Sequence, residues 1–138
     1  MTLAELIAYV DKIRPNAYDK DVMTGWVNEI EHKVYEEVVS RALPDDITTF
    51  AEYMNPPEIP HGPYQYDMDA ERTLLVEDPH KDVYVTYVLA QMDYANMELD
   101  RFNADSAMHQ AAWQDYAAEY RRKHRPRPLE VTIPHCFW

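Results

Sequence analysis

The sequence predicts an all-α fold, and three observations lead there. Apolar residues recur at i, i+3, i+4 and i+7 through most of the chain, the spacing of one helix face. Only Gly25 and Gly62 stand in 138 residues, too few glycines for the tight turns of a sheet-rich fold. The ten prolines gather mostly in 56–63 and 126–134. Proline lacks the amide donor that helix and sheet both need, so those stretches read as loop or tail. Four main helices are expected, at about 2–13, 19–42, 79–102 and 105–124, with a long irregular loop over 44–77. Residues 1–128 read as one helical domain and 129–138 as an extended C-terminal tail.

Thr2-x-x-Glu5 is a capping box at the head of the first helix, whose apolar face is Leu3, Leu6, Ile7, Val10 and Ile13. Arg14-Pro15 ends it, because the residue before proline avoids helical geometry. Asp19 caps the second helix, which carries the stripe Met23, Trp26, Val27, Ile30, Val34 and Val38 and closes at Leu43-Pro44. The segment MNPPEIPHGPY, 54–64, is incompatible with helix or central strand, and ERTLLV, 71–76, reads as a short extended piece. A connection as long as 44–77 is functional or mobile in most small domains. Asp78-Pro79 places a cap and a first-turn proline at the head of the third helix. One face of that helix holds Tyr84, Val88, Met92, Ala95, Leu99 and Phe102; a nearly opposite face holds Val83, Ala90, Tyr94 and Met97. Apolar residues on two sides imply a sandwiched helix, inside the fold or between subunits. Asn103-Ala104-Asp105 interrupts the pattern, and either Asn103 or Asp105 caps a fourth helix with His109, Ala112, Trp113, Tyr116, Ala117 and Tyr120 on one face. The tail LEVTIPHCFW contains one strand-like piece, LEVTI.

The formal charge of −12 argues against general affinity for nucleic acid or acidic membranes, both polyanions. The lone Cys136 permits no internal disulfide and fits a reducing compartment. No apolar run approaches the ~20 residues of a membrane span. The opening MTLAELIAYVDKI has an acid at Glu5 and no basic n-region, so a soluble, cytoplasmically made protein without a signal peptide is expected. Eleven tyrosines and three tryptophans suit surfaces where proteins meet proteins.

EIEHKVYEE, 29–37, contains Glu29-x-x-His32, half of a carboxylate-bridged di-metal motif. Two further Glu-x-x-His matches occur, Glu58/His61 and Glu77/His80. At 100° per residue, Glu29, His32 and Glu36 share one face of the second helix, but that face lies opposite the Trp26/Ile30/Val34 stripe and points to solvent. The other two matches hold proline between Glu and His, so neither is a helical pair. A solvated acidic face is therefore favoured over a metal site at Glu29, His32 and Glu36, and no cofactor is expected. His109 reads as a packed ring rather than a ligand or base. Arg121, Arg122, Lys123, Arg125 and Arg127 admit two readings of equal weight: cations favoured at a helix C-terminus, or a contact with an acidic partner or DNA phosphate. The aromatic stripes read as core or interface rather than a cofactor box. Neither a nucleophile elbow nor a glycine-rich phosphate loop is present, so no enzyme is expected.

Several local runs share a pattern: Pro15-Asn16-Ala17-Tyr18, then Trp26, Asp82-Val83-Tyr84-Val85-Thr86-Tyr87, Gln91-Met92-Asp93-Tyr94, Arg101-Phe102-Asn103 and Ala111-Ala112-Trp113. In order and character these resemble the small helical head-to-tail connector (adaptor, or head-completion) proteins of long-tailed bacteriophages, over residues 1–43 and 71–126. The 54–64 segment and the tail depart from that pattern, and His109 falls where an aromatic is expected. The resemblance implies a structural protein of the virion head–tail joint. Such a protein forms a homo-oligomeric ring beneath the portal protein, extends the DNA channel and docks a tail-side connector or stopper protein. Genomic DNA would pass without tight or sequence-specific binding, and no membrane is involved. On this reading Val83, Ala90, Tyr94 and Met97 are candidates for the ring interface, and Arg121, Arg122, Lys123, Arg125 and Arg127 for contact with a partner or DNA. The alternatives are a helical metal-binding protein using Glu29, His32 and Glu36, and a small DNA-binding regulatory module using Arg121–Arg127.

Overall fold

The computed structural model describes residues 1–44 and 47–127; the expected tail, 129–138, lies outside the described residues. The described residues are helical, as expected, but they form six helices rather than four: α1 (Leu3–Ile13), α2 (Lys20–Glu37), α3 (Phe50–Met54), α4 (Tyr66–Asp69), α5 (Asp82–Ala95) and α6 (Leu99–Lys123). Single 3-10 turns cover Val39–Arg41 and Asp78–His80. Among the described residues β-pairing is limited to two isolated bridges, Thr2 with Thr73 and Ala42 with Pro126.

The first helix starts where its capping box predicts. The Thr2 side chain accepts from the Glu5 amide and the Glu5 carboxylate accepts from the Thr2 amide. Leu3, Leu6, Ile7 and Val10 face the interior, while Ile13 is exposed. In α2 the expected stripe is buried at Met23, Val27, Ile30 and Val34. The helix stops at Glu37, short of the expected 42, because the chain turns to pair with the segment after α6. The Leu43 amide donates to the Arg125 carbonyl at 2.7 Å and the Arg127 amide to that of Arg41 at 3.1 Å.

The central helix is α5, in contact with α1, α2 and α6. Tyr84, Val88 and Met92 meet the core on one side, and Val83, Val85 and Ala90 are buried as well. Its two apolar faces are thus enclosed within one chain as far as Asp93. A fully buried aliphatic or aromatic side chain contributes roughly 1.5–3 kcal/mol, so this enclosure is the main source of cohesion.

The expected third helix, 79–102, does not run through. It stops at Ala95 and the chain reverses in a Schellman motif. The Met97 amide donates to the Tyr94 carbonyl at 3.1 Å and the Glu98 amide to that of Asp93 at 2.9 Å. Met97 adopts φ 60, the left-handed conformation usually given to glycine. The expected break at 103–105 is instead interior to α6. Asp105 caps nothing there; it accepts from Arg14 Nη2 at 3.2 Å, while Arg14 Nη1 donates to the buried Asp93 at 2.6 Å. A continuous helix would have carried Asp93 and Asp105 apart, whereas the reversal brings both to one guanidinium.

The 44–77 loop carries the two short helices α3 and α4 and is pinned from below. Asn28 exchanges two hydrogen bonds with the Tyr64 backbone, at 2.9 and 2.8 Å. Glu31, 1 % exposed, accepts at Oε1 from the Leu75 amide and the Tyr84 hydroxyl, both at 2.9 Å, and at Oε2 from the Gly62 amide at 3.3 Å. A Cβ at Gly62 would lie 3.3 Å from Asn28 Oδ1 and 3.4 Å from Glu31 Oε2, so glycine permits this close approach. No helix among the described residues is long and apolar enough to cross a membrane.

Candidate functional site

The last turns of α6 stand over the 3-10 turn Asp78–His80, the Val39–Arg41 turn and the loop near Ile59, leaving an open cavity of about 310 Å³. That size lies at the lower end of ligand pockets. Val39, Pro44, Ile59 and Leu75 supply an apolar wall. Facing them are His80, Tyr116, Glu119, Tyr120, Lys123 and His124. Residues 116, 119, 120 and 123 fall at helical spacing on one side of α6, so a single helix face delivers four of the side chains, and His124 follows at its C-cap.

Glu119 sits between Lys123 and His80. Lys123 Nζ lies 2.6 Å from Oε1, and His80 Nε2 contacts Oε2. The hydrogen bonds from Lys123 and then His80 hold the Glu119 carboxyl below its ordinary range, and the Lys123 ammonium is raised in return by Glu119. Tyr120 and His124 stack at 3.9 Å, and His80 meets Tyr116 edge-on at 5.5 Å. Tyr116 is 3 % exposed, and its buried hydroxyl has no hydrogen-bond partner among the described residues. Burial pushes this phenol up, so it stays neutral. Chemically the cavity offers an apolar wall and the hydrogen-bonded Glu119–His80–Lys123 cluster with Glu77 beside it, while the Tyr116 hydroxyl lies buried beneath its surface. Such a surface suits an apolar group with a polar edge.

The residues singled out from the sequence scatter over the molecule. Glu29, His32 and Glu36 lie on the exposed face of α2, as the helical spacing predicted. Glu29 Oε2 accepts from the Tyr87 hydroxyl at 2.8 Å. Among the described residues no three His, Cys, Asp or Glu side chains converge as a metal would need. His61 stacks on Tyr35 at 3.6 Å, and His80 is the histidine of the cavity. His109 is a packed ring, 7 % exposed, with Nδ1 3.3 Å from Thr86 Oγ1. Burial and then Lys33 lower its pKa, which keeps it neutral.

The four candidates for a subunit interface do not form one surface. Val83 and Ala90 are 0 % and 4 % exposed within the single chain, against 64 % for Tyr94 and 85 % for Met97. The expectation of one continuous apolar face is therefore corrected, because α6 folds back and covers its first half. Of the basic cluster, Arg121, Arg122 and Arg125 are exposed, Lys123 is engaged by Glu119, and Arg127 is half-buried where its amide pairs with Arg41.

Glu31 and Tyr116 are the polar groups the pattern reading passed over as sites. The signal for Glu31 was present: it lies four residues after Val27 and three before Val34, inside the buried stripe. Tyr116 was legible as an apolar-face residue, but its missing partner is a matter of three-dimensional packing. No protein-family model matches the chain, and none of the curated proteins or solved structures compared with it is significantly similar.

Proposed function

We propose that this chain is a structural virion-assembly protein of the head-to-tail connector kind. It forms a ring between the portal and the tail-side proteins, extends the DNA channel and performs no reaction. The observation that carries the reading is the cooperation of the two stretches bearing the resemblance. Residues 1–43 and 71–126 supply α1, α2, α5 and α6, and nearly all of the core is drawn from them. The Pro15–Tyr18 turn is braced by the edge-on pair Tyr18–Trp26 at 5.2 Å, two positions of the shared pattern. A second support is the exposed apolar group Tyr94, Met97 and Leu99, suited to burial against another protein.

The DNA-binding reading draws on exposed Arg121, Arg122 and Arg125 and is opposed by the net charge of −12. It requires a complex that weakens steeply with salt and disappears when those arginines are neutralised.

The experiment is deletion of the gene from its phage or prophage, with negative-stain electron microscopy of the induced lysate. Full or leaking heads beside separate, complete tails are expected. Normally joined virions would remove the protein from the joint.

A further inference from the structure

Three side-chain atoms among the described residues are buried without a hydrogen-bond partner: the Tyr116 hydroxyl, Arg127 Nε and Asp93 Oδ2. They are not equivalent. A bare phenol forgoes one neutral hydrogen bond, and a guanidinium keeps its other donors. A carboxylate oxygen carries a large part of a full charge, which is costly to bury unpaired. Asp93 is 1 % exposed, so its second oxygen has the strongest need of a partner.

The surroundings of Asp93 supply one cation and an excess of negative charge. Arg14, the C-cap of α1, donates through Nη1 to Asp93 Oδ1 at 2.6 Å and to the Leu89 carbonyl at 3.4 Å. Its Nη2 donates to Asp105 Oδ2, on α6, at 3.2 Å. One guanidinium thus faces two carboxylates. Glu98, before α6, adds negative potential at Asp93 although it is paired with Arg101. Asp93 also stands in the last turn of α5, where unpaired carbonyls disfavour an anion. The acids of α2 that meet α5, Glu29 and Glu31, are bonded to Tyr87 and Tyr84, more than a helical turn before Asp93. As two carboxylates, Asp93 and Asp105 cannot donate to each other, and Oδ2 stands bare. As a carboxyl, Asp93 hydrogen-bonds to Asp105, and burial together with that bond favours the protonated form against the pull of Arg14.

We propose that the folded chain keeps one proton between Asp93 and Asp105, and that this proton latches the start of α6 and the turn before it to Arg14 at the end of α1. With the proton in place Asp93 donates to Asp105, and the guanidinium balances the single charge that remains. Two carboxylates in one site do not both ionise without mutual repulsion. Loss of the proton adds a second negative charge with no second cation. The contact that yields is the one to Asp105, which is longer, 3.2 against 2.6 Å, and whose side chain is 13 % exposed against 1 % for Asp93. Its release frees the first turns of α6 and the reversal at Met97. The latched form binds the proton more tightly than the open form. The latch is therefore complete below the ordinary aspartate range, and its contribution is lost as pH rises through about 6. It is a property of the single chain and stands apart from the ring-forming reading.

The test uses the full chain, labelled with carbon-13 at the aspartate carboxyls and titrated by NMR. Two steps belonging to the pair are expected, one below the ordinary aspartate value and one near 6, the upper one felt at both Asp93 and Asp105. Hydrogen exchange gives the second readout. Amides of residues 94–105, corrected for intrinsic rate, are expected to exchange about tenfold or more faster at about pH 6.5 than at about pH 4, and to level off above that. Asp93→Asn abolishes this rise. Asp105→Asn offers Asp93 an amide donor in place of a second acceptor, and lowers the proton affinity of the upper step about tenfold or more. Burial alone would leave that step where it was. Three results would each overturn the latch: both carboxyls titrating at or below the ordinary range, an upper step unchanged in Asp105→Asn, or the same exchange profile in wild type and Asp93→Asn. The wild-type titration needs no substitution, so it decides the matter even if an asparagine variant fails to fold.

Discussion

Glu31 holds three parts of the chain to α2 through hydrogen bonds from Gly62, Leu75 and Tyr84. Removing a buried acceptor strands its donors, and charged-acceptor hydrogen bonds are the strong ones. Glu31→Ala is expected to cost about 3 kcal/mol or more, read as a lower urea midpoint, whereas Glu31→Gln, which keeps the shape, costs less. Tyr116 is the opposite case. Its hydroxyl is buried without a partner, so Tyr116→Phe should leave stability unchanged or raised in thermal unfolding. A large loss would mean that the hydroxyl is satisfied in solution. Asp93 gives a pH dependence. Burial and then a hydrogen bond with Asp105 raise its carboxyl from 3.8 to about 6, against the opposing pull of Arg14. The folded chain thus holds this proton more tightly than the unfolded one. The associated stability is fully present below the unfolded value and is lost as pH rises through about 6. The melting temperature is expected to fall between pH 5 and pH 7.5 in the wild type, by more than in Asp93→Asn; equal falls would remove Asp93 as the cause.

The α5–α6 hairpin is the element whose sequence misleads. Apolar spacing runs on through Ala95, Leu99 and Phe102, and the helix stop is written with Asn96-Met97 instead of glycine. Met97→Gly removes the left-handed penalty and leaves the Schellman hydrogen bonds in place. It should stabilise the chain by about 1 kcal/mol in chemical denaturation; destabilisation would show that the Met97 side chain has a packing role. The same reversal splits the candidate interface. Ala90→Asp introduces a charge where Ala90 is 4 % exposed and is expected to unfold the chain, while Met97→Asp keeps the native circular dichroism spectrum. Loss of structure in both would place the turn in the core.

At the scale of the whole molecule, the overall charge sets the salt dependence of any self-association. A chain of net −12 repels its own copies at long range. Salt screens that repulsion within about 10 Å at 0.1 M ionic strength, so self-association is expected to strengthen as salt rises. Sedimentation velocity across a salt series checks this; association that weakens with salt would point to charge pairing across the contact.

Helix faces, the capping box, the Arg14-Pro15 stop, the exposure of Glu29, His32 and Glu36 and the packing of His109 were all legible in the residues. They are local properties, set by spacing within a turn or two of one helix. The reversal at Met97, the joint grip of Arg14 on Asp93 and Asp105, the burial of Glu31 under the 44–77 loop and the cavity at the end of α6 were not. Each depends on which distant segments meet, with separations such as 79 residues between Arg14 and Asp93. Periodicity says which side of a helix is apolar. It does not say whether that side is covered by the chain's own α6, as at Val83 and Ala90, or left open, as at Tyr94 and Met97.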